Sequence, residues 1–175
     1  MNLLNPPLTR NLEMTKFVSQ KIRQKSSARL AAVQAVYMAC FSNLPVDEVI
    51  EDFITGKVGR YAIDEDVFSH TEELVELSPL DGVYFEKIVR GVFSKKEALE
   101  KSLAQYINEK YDFEKMDGTM RALLLCAAFE LTNTLDVDVK VLIQEYVDLA
   151  YAFFSKNEPK MVNALLDQIA HSVRI

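Results

Sequence analysis

Apolar residues recur along most of this chain at intervals of three and four, the spacing of a single buried stripe on an α-helix. Leu30, Val33, Tyr37, Cys40 and Phe41 predict a first helix over about 27–42, stopped by Asn43-Leu44-Pro45. Val49, Ile50 and Phe53 mark the inward face of a second, over about 46–55. Residues 57–77 break the rhythm. They are acidic with scattered apolar positions, and the expectation there is an irregular linker with at most one short helix. Ser78-Pro79-Leu80-Asp81 reads as a helix start, with a capping Ser and Pro at the first helical position. Tyr84, Phe85, Ile88, Val89 and Val92 then give a buried face ending near Phe93. A fourth helix holds Leu99, Leu103, Tyr106 and Ile107 inside, with Lys96/Glu100 and Glu97/Lys101 as outward pairs four apart. Residues 122–129 are apolar on every face, so the helix carrying them, about 118–135, should be central. Val139, Leu142, Tyr146, Leu149, Ala150 and Phe153 describe a sixth helix. Asn157-Glu158-Pro159 opens a seventh, with Val162, Leu165, Leu166, Ile169 and Val173 inward. No segment persuades as a strand. The fold class is all-α, with about seven helices.

Charge divides the chain by position. Residues 1–30 carry six basic side chains and one acid, a balance of +5, whereas the remainder carries 14 basic and 25 acidic, or −11. Residues 1–24, with Pro6-Pro7 and no clear period over most of their length, are expected to be a flexible basic leader, and 25–175 one helical domain. A basic leader running into a helix on an acidic body suits a polyanion met at one place; a solvated tail is the plainer reading.

Composition narrows the rest. A 49% hydrophobic content in 175 residues can bury one substantial core, and five Gly with five Pro leave few turns for a many-stranded β fold. Cys40 and Cys126 lie in apolar helical stretches without a C-x-x-C partner and read as buried thiols of a reducing compartment. The longest apolar run is far too short to span a bilayer, and the N-terminus lacks the apolar core of a secretory signal. An acid-poor leader with Ser and Arg also fits a transit peptide, but the expected location is the cytoplasm. His70 and His171 have no metal-ligand spacing, and no phosphate-loop, dinucleotide or nucleophile-elbow motif occurs, so neither an enzyme nor a cofactor is expected.

Several segments carry a resemblance. Ala28-Arg29-Leu30-Ala31-Ala32-Val33-Gln34-Ala35-Val36-Tyr37 is similar to the opening helix of the NusB family of bacterial transcription antitermination factors, where A-R-x-x-A-V-Q-A-L-Y follows an arginine-rich start. Residues 81–92 resemble the family's Y-F-x-x-L-x-x-G-V helix, and Tyr111, Lys115, Arg121, Ala122 and Leu124 match its aromatic-x-x-x-basic outline. Ala128-Phe129-Glu130-Leu131, the stretch from Lys140 to Ala150, and Met161-Val162-Asn163-Ala164-Leu165-Leu166-Asp167 follow in the family's order. The departures are Ser26 and Ser27 in place of arginines, Leu125 for arginine, Asp138 for proline, Gln144 for asparagine and Ala164 for glycine. Leu125 weakens the case for a polar network at the centre of the fold, and the thinned basic start weakens the case for strong RNA binding by this chain alone.

The resemblance implies two small helical bundles packed together. It implies joint binding of single-stranded boxA leader RNA with NusE, a small-subunit ribosomal protein, and entry into the RNA polymerase elongation complex, notably in ribosomal RNA operons. Lys25 and Arg29, four apart on one face, are then the expected phosphate contacts, with charge from Lys16, Lys21 and Arg23 added by the leader. Gln34 and Tyr37 are the expected base readers, although Tyr37 lies on the apolar stripe and fits the core equally well. Lys140 is expected to meet phosphate near the sixth helix, and Asp136 to cap or modulate. Tyr111, Lys115, Met120 and Arg121 are the expected protein-partner surface. Two alternatives stand beside this: a NusB-like scaffold with weak or lost RNA binding, and an unrelated helical enzyme. A homodimer is compatible with the pattern, because a self-association face and a partner face look alike in it.

Overall fold

The computed structural model describes residues 8–66, 68–107, 112–155 and 157–174. Six α-helices appear in the order α1 (Leu8–Phe41), α2 (Val46–Ile54), α3 (Gly82–Tyr106), α4 (Gly118–Asn133), α5 (Val139–Phe153) and α6 (Asn157–Arg174). A hairpin of β1 (Tyr61–Glu65) and β2 (Glu72–Glu76) separates α2 from α3, and a single 3-10 turn at Phe113–Lys115 precedes α4. Helix α4 is central: it packs on α1 and α3 on one side and on α5 and α6 on the other. Its residues from Ala122 to Leu131 are all buried, Leu123, Leu124 and Ala127 completely and Phe129 to 5% exposure. No helix among the described residues is long and apolar enough to cross a membrane.

Local chemistry explains the boundaries. Asp81, Asp117 and Asp138 each turn a carboxylate onto free N–H groups at the starts of α3, α4 and α5, accepting from Tyr84, from Thr119 and Met120, and from Lys140. Asp138 is therefore the cap of α5. Asn43, at φ 53°, ends α1 in the left-handed conformation. Helix α3 runs unbroken through residues 93–96, where two helices were expected, because nothing there breaks a helix. Gly91 sits inside it since a Cβ at that point would lie 2.0 Å from the Phe129 ring, so close contact with α4 requires glycine.

Three further differences from the sequence pattern stand out. The helix start expected at Ser78 lies at Asp81 instead, with Pro79 outside it. The linker expected over 57–77 contains the antiparallel hairpin, with Ile63 paired to Leu74 and Tyr61 to Glu76. Its base is closed by the Leu77 N–H on the Arg60 carbonyl at 2.9 Å. Helix α1 begins at Leu8, within the segment 1–24 expected to be a flexible leader, while residues 1–7 lie outside the described residues. The buried side of α1 is formed by Ala28, Ala32, Ala35 and Val36, all at 0% exposure, while Tyr37 and Phe41 face solvent at 40% and 46%. Small side chains let α1 approach α3 and α4 closely, and that turns the larger ones outward.

Candidate nucleic-acid interface

The side chains of α1 part into two faces. Arg29 points inward and is 3% exposed. Its Nε donates to Glu130 Oε2 at 2.9 Å, Nη1 to Glu145 at 3.2 Å, and Nη2 to the Tyr84 hydroxyl at 2.7 Å. Glu130, fully buried, also accepts from the hydroxyls of Tyr84 and Tyr146, so its lone pairs are well used. Burial alone would lower the Arg29 pKa, but its hydrogen bond to Glu130 and that carboxylate's charge outweigh it, and the guanidinium is held above its ordinary value. Burial, reinforced by Glu130, pushes the phenols of Tyr84 and Tyr146 up. A polar network thus lies at the centre of the fold despite Leu125, and Arg29 is withdrawn from the surface where phosphate was expected. Lys25, one turn earlier, is half-buried with its ammonium 4.8 Å from the centre of the Tyr84 ring.

The outward face carries a different series. Arg23, Ser27, Leu30, Gln34, Tyr37 and Phe41 follow one another at spacings of four, three, four, three and four, which is one stripe of a helix. Arg23 is exposed and donates to Ser19 at 2.9 Å. Gln34 is half-buried, and the Tyr37 and Phe41 rings lean together with centroids 5.2 Å apart. The stripe therefore runs from a cation through an amide to aromatic faces. Of the expected RNA contacts, Gln34 and Tyr37 lie together on it; Lys25 lies on the opposite side. Lys140 is exposed in the first turn of α5, and Asp136 is exposed just before it, with Asp138 rather than Asp136 acting as the cap.

The expected partner residues lie beyond the Phe41 end of the stripe. The Arg121 guanidinium lies 5.5 Å from the Phe41 ring centre and 5.1 Å from that of Phe113, and an Nη reaches Glu100 at 3.8 Å. Lys115 is 84% exposed and pairs with Asp112 at 3.2 Å. Met120 is 3% exposed, so its side chain belongs to the core and not to a docking surface. Tyr111 lies outside the described residues. Tyr37, Phe41, Arg121 and Phe113 thus form a run of ring and guanidinium contacts leading from the outward stripe of α1 to the start of α4. Among the described residues no group of three or more His, Cys, Asp or Glu could hold a metal ion. Burial raises the pKa of the thiols of Cys126 and Cys40, which keeps them protonated.

The structural roles of two arginines are not among the sequence expectations, which gave Arg29 to phosphate. Arg29 had one signal: Glu130 follows eight apolar residues on the central helix, and a carboxylate there needs a buried cation. Arg174, at the end of α6, donates to the carbonyls of Glu130, Leu131, Thr134 and Val137 at 2.6–3.0 Å, closing the C-terminus of α4. Nothing in its local sequence announces this.

The model of the NusB family matches residues 26–171. A transcription antitermination protein NusB of Rhodospirillum rubrum is 38% identical over 157 residues, covering 86% of this chain and 85% of that protein. Its counterpart in Allorhizobium ampelinum is 36% identical over 152 residues, covering 87% and 89%. Among solved structures, T. maritima NusB aligns with a TM-score of 0.64 at 20% identity, over 83% of this chain and 89% of that one. A chain in the crystal structure of a plectonemic RNA supercoil aligns at 0.65 and 15%, over 84% and 94%. These structures share the fold; the family model and the relatives establish that this chain belongs to the NusB family.

Proposed function

We propose that this chain is a transcription antitermination factor that binds single-stranded boxA-type leader RNA together with NusE and joins the RNA polymerase elongation complex during ribosomal RNA transcription. The observation that carries this reading is the outward stripe of α1, which orders a cation, an amide and an aromatic face along one line. Single-stranded RNA is read by such groups: phosphates by cations, base edges by amides, base planes by rings. NusE docks beside the stripe, on the surface of Lys115 and Arg121, so RNA and protein meet near Phe41. With Arg29 withdrawn into the core and Ser26 and Ser27 uncharged, binding by this chain alone is weak and the partner strengthens it. The test is a salt titration of boxA-type and scrambled RNA by fluorescence anisotropy, with NusE present. A boxA preference that Gln34→Ala and Tyr37→Ala each narrow, by about five-fold or more for the lost stack, is expected. No preference at any salt rejects RNA reading and leaves a protein scaffold.

A further inference from the structure

The outward stripe of α1 faces a second wall. Two cavities of about 320 and 310 Å³ lie side by side between α1 and the chain leading into the hairpin, and they share Gln34, Phe53, Val58 and Gly59. The first is bordered by Ser27 and Leu30 on α1 and by Arg60 and Glu76 at the hairpin base. The second is bordered by Tyr37, Tyr61 and Phe153, which are 40%, 49% and 36% exposed. Gly59 keeps the dividing wall thin: at φ 75°, with a Cβ that would lie 2.7 Å from the Phe53 ring, no other residue fits without displacing the floor.

We infer that this double cavity is a cleft for two successive nucleotides of single-stranded RNA, one base held against Tyr61 and Tyr37, the next beside Gln34 with its phosphate toward Arg60. The inference rests on the RNA-binding reading above and adds a binding wall from the hairpin base. Each volume is at the small end for ligand cavities, which suits a single unstacked nucleoside and excludes a duplex. Tyr61 offers a half-exposed ring, with the Arg60 guanidinium 5.6 Å from its centre. Gln34 stands between the cavities with both a donor and an acceptor on its amide. Arg60 donates from Nε to Glu76 at 2.9 Å in an exposed pair, which leaves its Nη groups for a phosphate while the carboxylate opposes the approach of that charge. Residues 61–76 contain six acids and no Lys or Arg, which repels phosphates from the rest of the hairpin and directs the strand along α1 toward Arg23.

The experiment measures boxA-type RNA by anisotropy on the full chain, alone and with NusE bound, alongside NusE affinity by calorimetry. Tyr61→Ala should weaken RNA about five-fold or more, and Tyr61→Phe should restore it because the ring remains. Glu76→Gln should tighten RNA by up to about five-fold by releasing Arg60. Photocrosslinking from 4-thiouridine in the same RNA should map to Tyr61. If wild-type RNA affinity is present but Tyr61→Ala leaves it unchanged, the cleft is wrong while the RNA-binding reading stands. If Tyr61→Ala lowers NusE affinity and not that for RNA, the wall belongs to the protein partner and the inference is overturned. If the wild-type chain binds no RNA in either state, both fall.

Discussion

On the inner side of α1, Arg29 is 3% exposed and engages two carboxylates and a phenol; on the outer side, Arg23 bonds a serine hydroxyl and stays in solvent. They lie six positions apart, and in the sequence Arg29 falls on the first helix and Arg23 in the basic leader, both reading as charge for phosphates. The inner cation is committed to holding α1 onto α3, α4 and α5 through Tyr84, Glu130 and Glu145, whereas the outer one retains its charge for a ligand. In a NusB-family chain with few basic residues at the start of its first helix, the count of cations therefore overstates what RNA can use.

The sharpest way to break this contrast is to remove the inner cation. Arg29→Ala leaves Glu130 buried without its counter-charge, a loss of about 3–5 kcal/mol. Arg29→Lys should recover little, because an ammonium cannot reproduce the forked contacts to Glu130, Glu145 and Tyr84. Urea denaturation followed by circular dichroism checks both. A surface arginine would cost well under 1 kcal/mol, and such a result would return Arg29 to the RNA-binding set.

Alkaline pH probes the same network without mutation. The folded-state pKa values of Tyr84 and Tyr146 lie above the ordinary phenol value of 10.0. Below pH 10 both states keep these protons, so the contribution is constant; above it the unfolded chain releases them first. Stability should then fall with rising pH, by up to about 1.4 kcal/mol per pH unit for each phenol. Tyrosinate absorbance that rises together with loss of helix, and a shallower fall in Tyr84→Phe, are the expected outcomes. Ionisation of all tyrosines near pH 10 in the folded protein would mean that the network is open to water.

Legibility followed burial. Helix α4 is plain in the sequence because an apolar residue at every position from 122 to 129 leaves no face for water, and Val49, Ile50 and Phe53 of α2 are plain because a short helix buries a single stripe. The hairpin is not, since alternation arises only when one face of a strand is buried, and every residue of β2 is exposed. On α1 the large residues Tyr37 and Phe41 of the apolar stripe face outward while alanines make the tight contacts, so a pattern weighted to large side chains misplaces part of the buried face. For the same reason Lys25 and Arg29 read as outward positions in the sequence, although Arg29 is buried and Lys25 half-buried, and Tyr37 fits core and surface equally. Gln34 and Tyr37 share the outward stripe of α1, whereas Lys25 and Arg29 lie on its other side, a division that spacing alone does not reveal.

The smallest effect separates those two sides. Each phosphate contacted on single-stranded RNA contributes roughly −0.7 to the slope of log K against log salt. Arg23 lies on the stripe of Gln34 and Tyr37, so Arg23→Ala should make that slope shallower by about 0.7 and weaken boxA and scrambled RNA alike. Lys25 lies over the Tyr84 ring on the other side, so Lys25→Ala should change the slope by less than Arg23→Ala does. Both residues are outside the core, and both variants should fold, which lets a salt titration with NusE bound compare them directly. The reverse order, a flatter slope for Lys25→Ala and none for Arg23→Ala, would mean that the phosphates pass along the α3 side of α1. The outward stripe would then be a surface for protein, and the contrast between the two faces would have to be drawn the other way round.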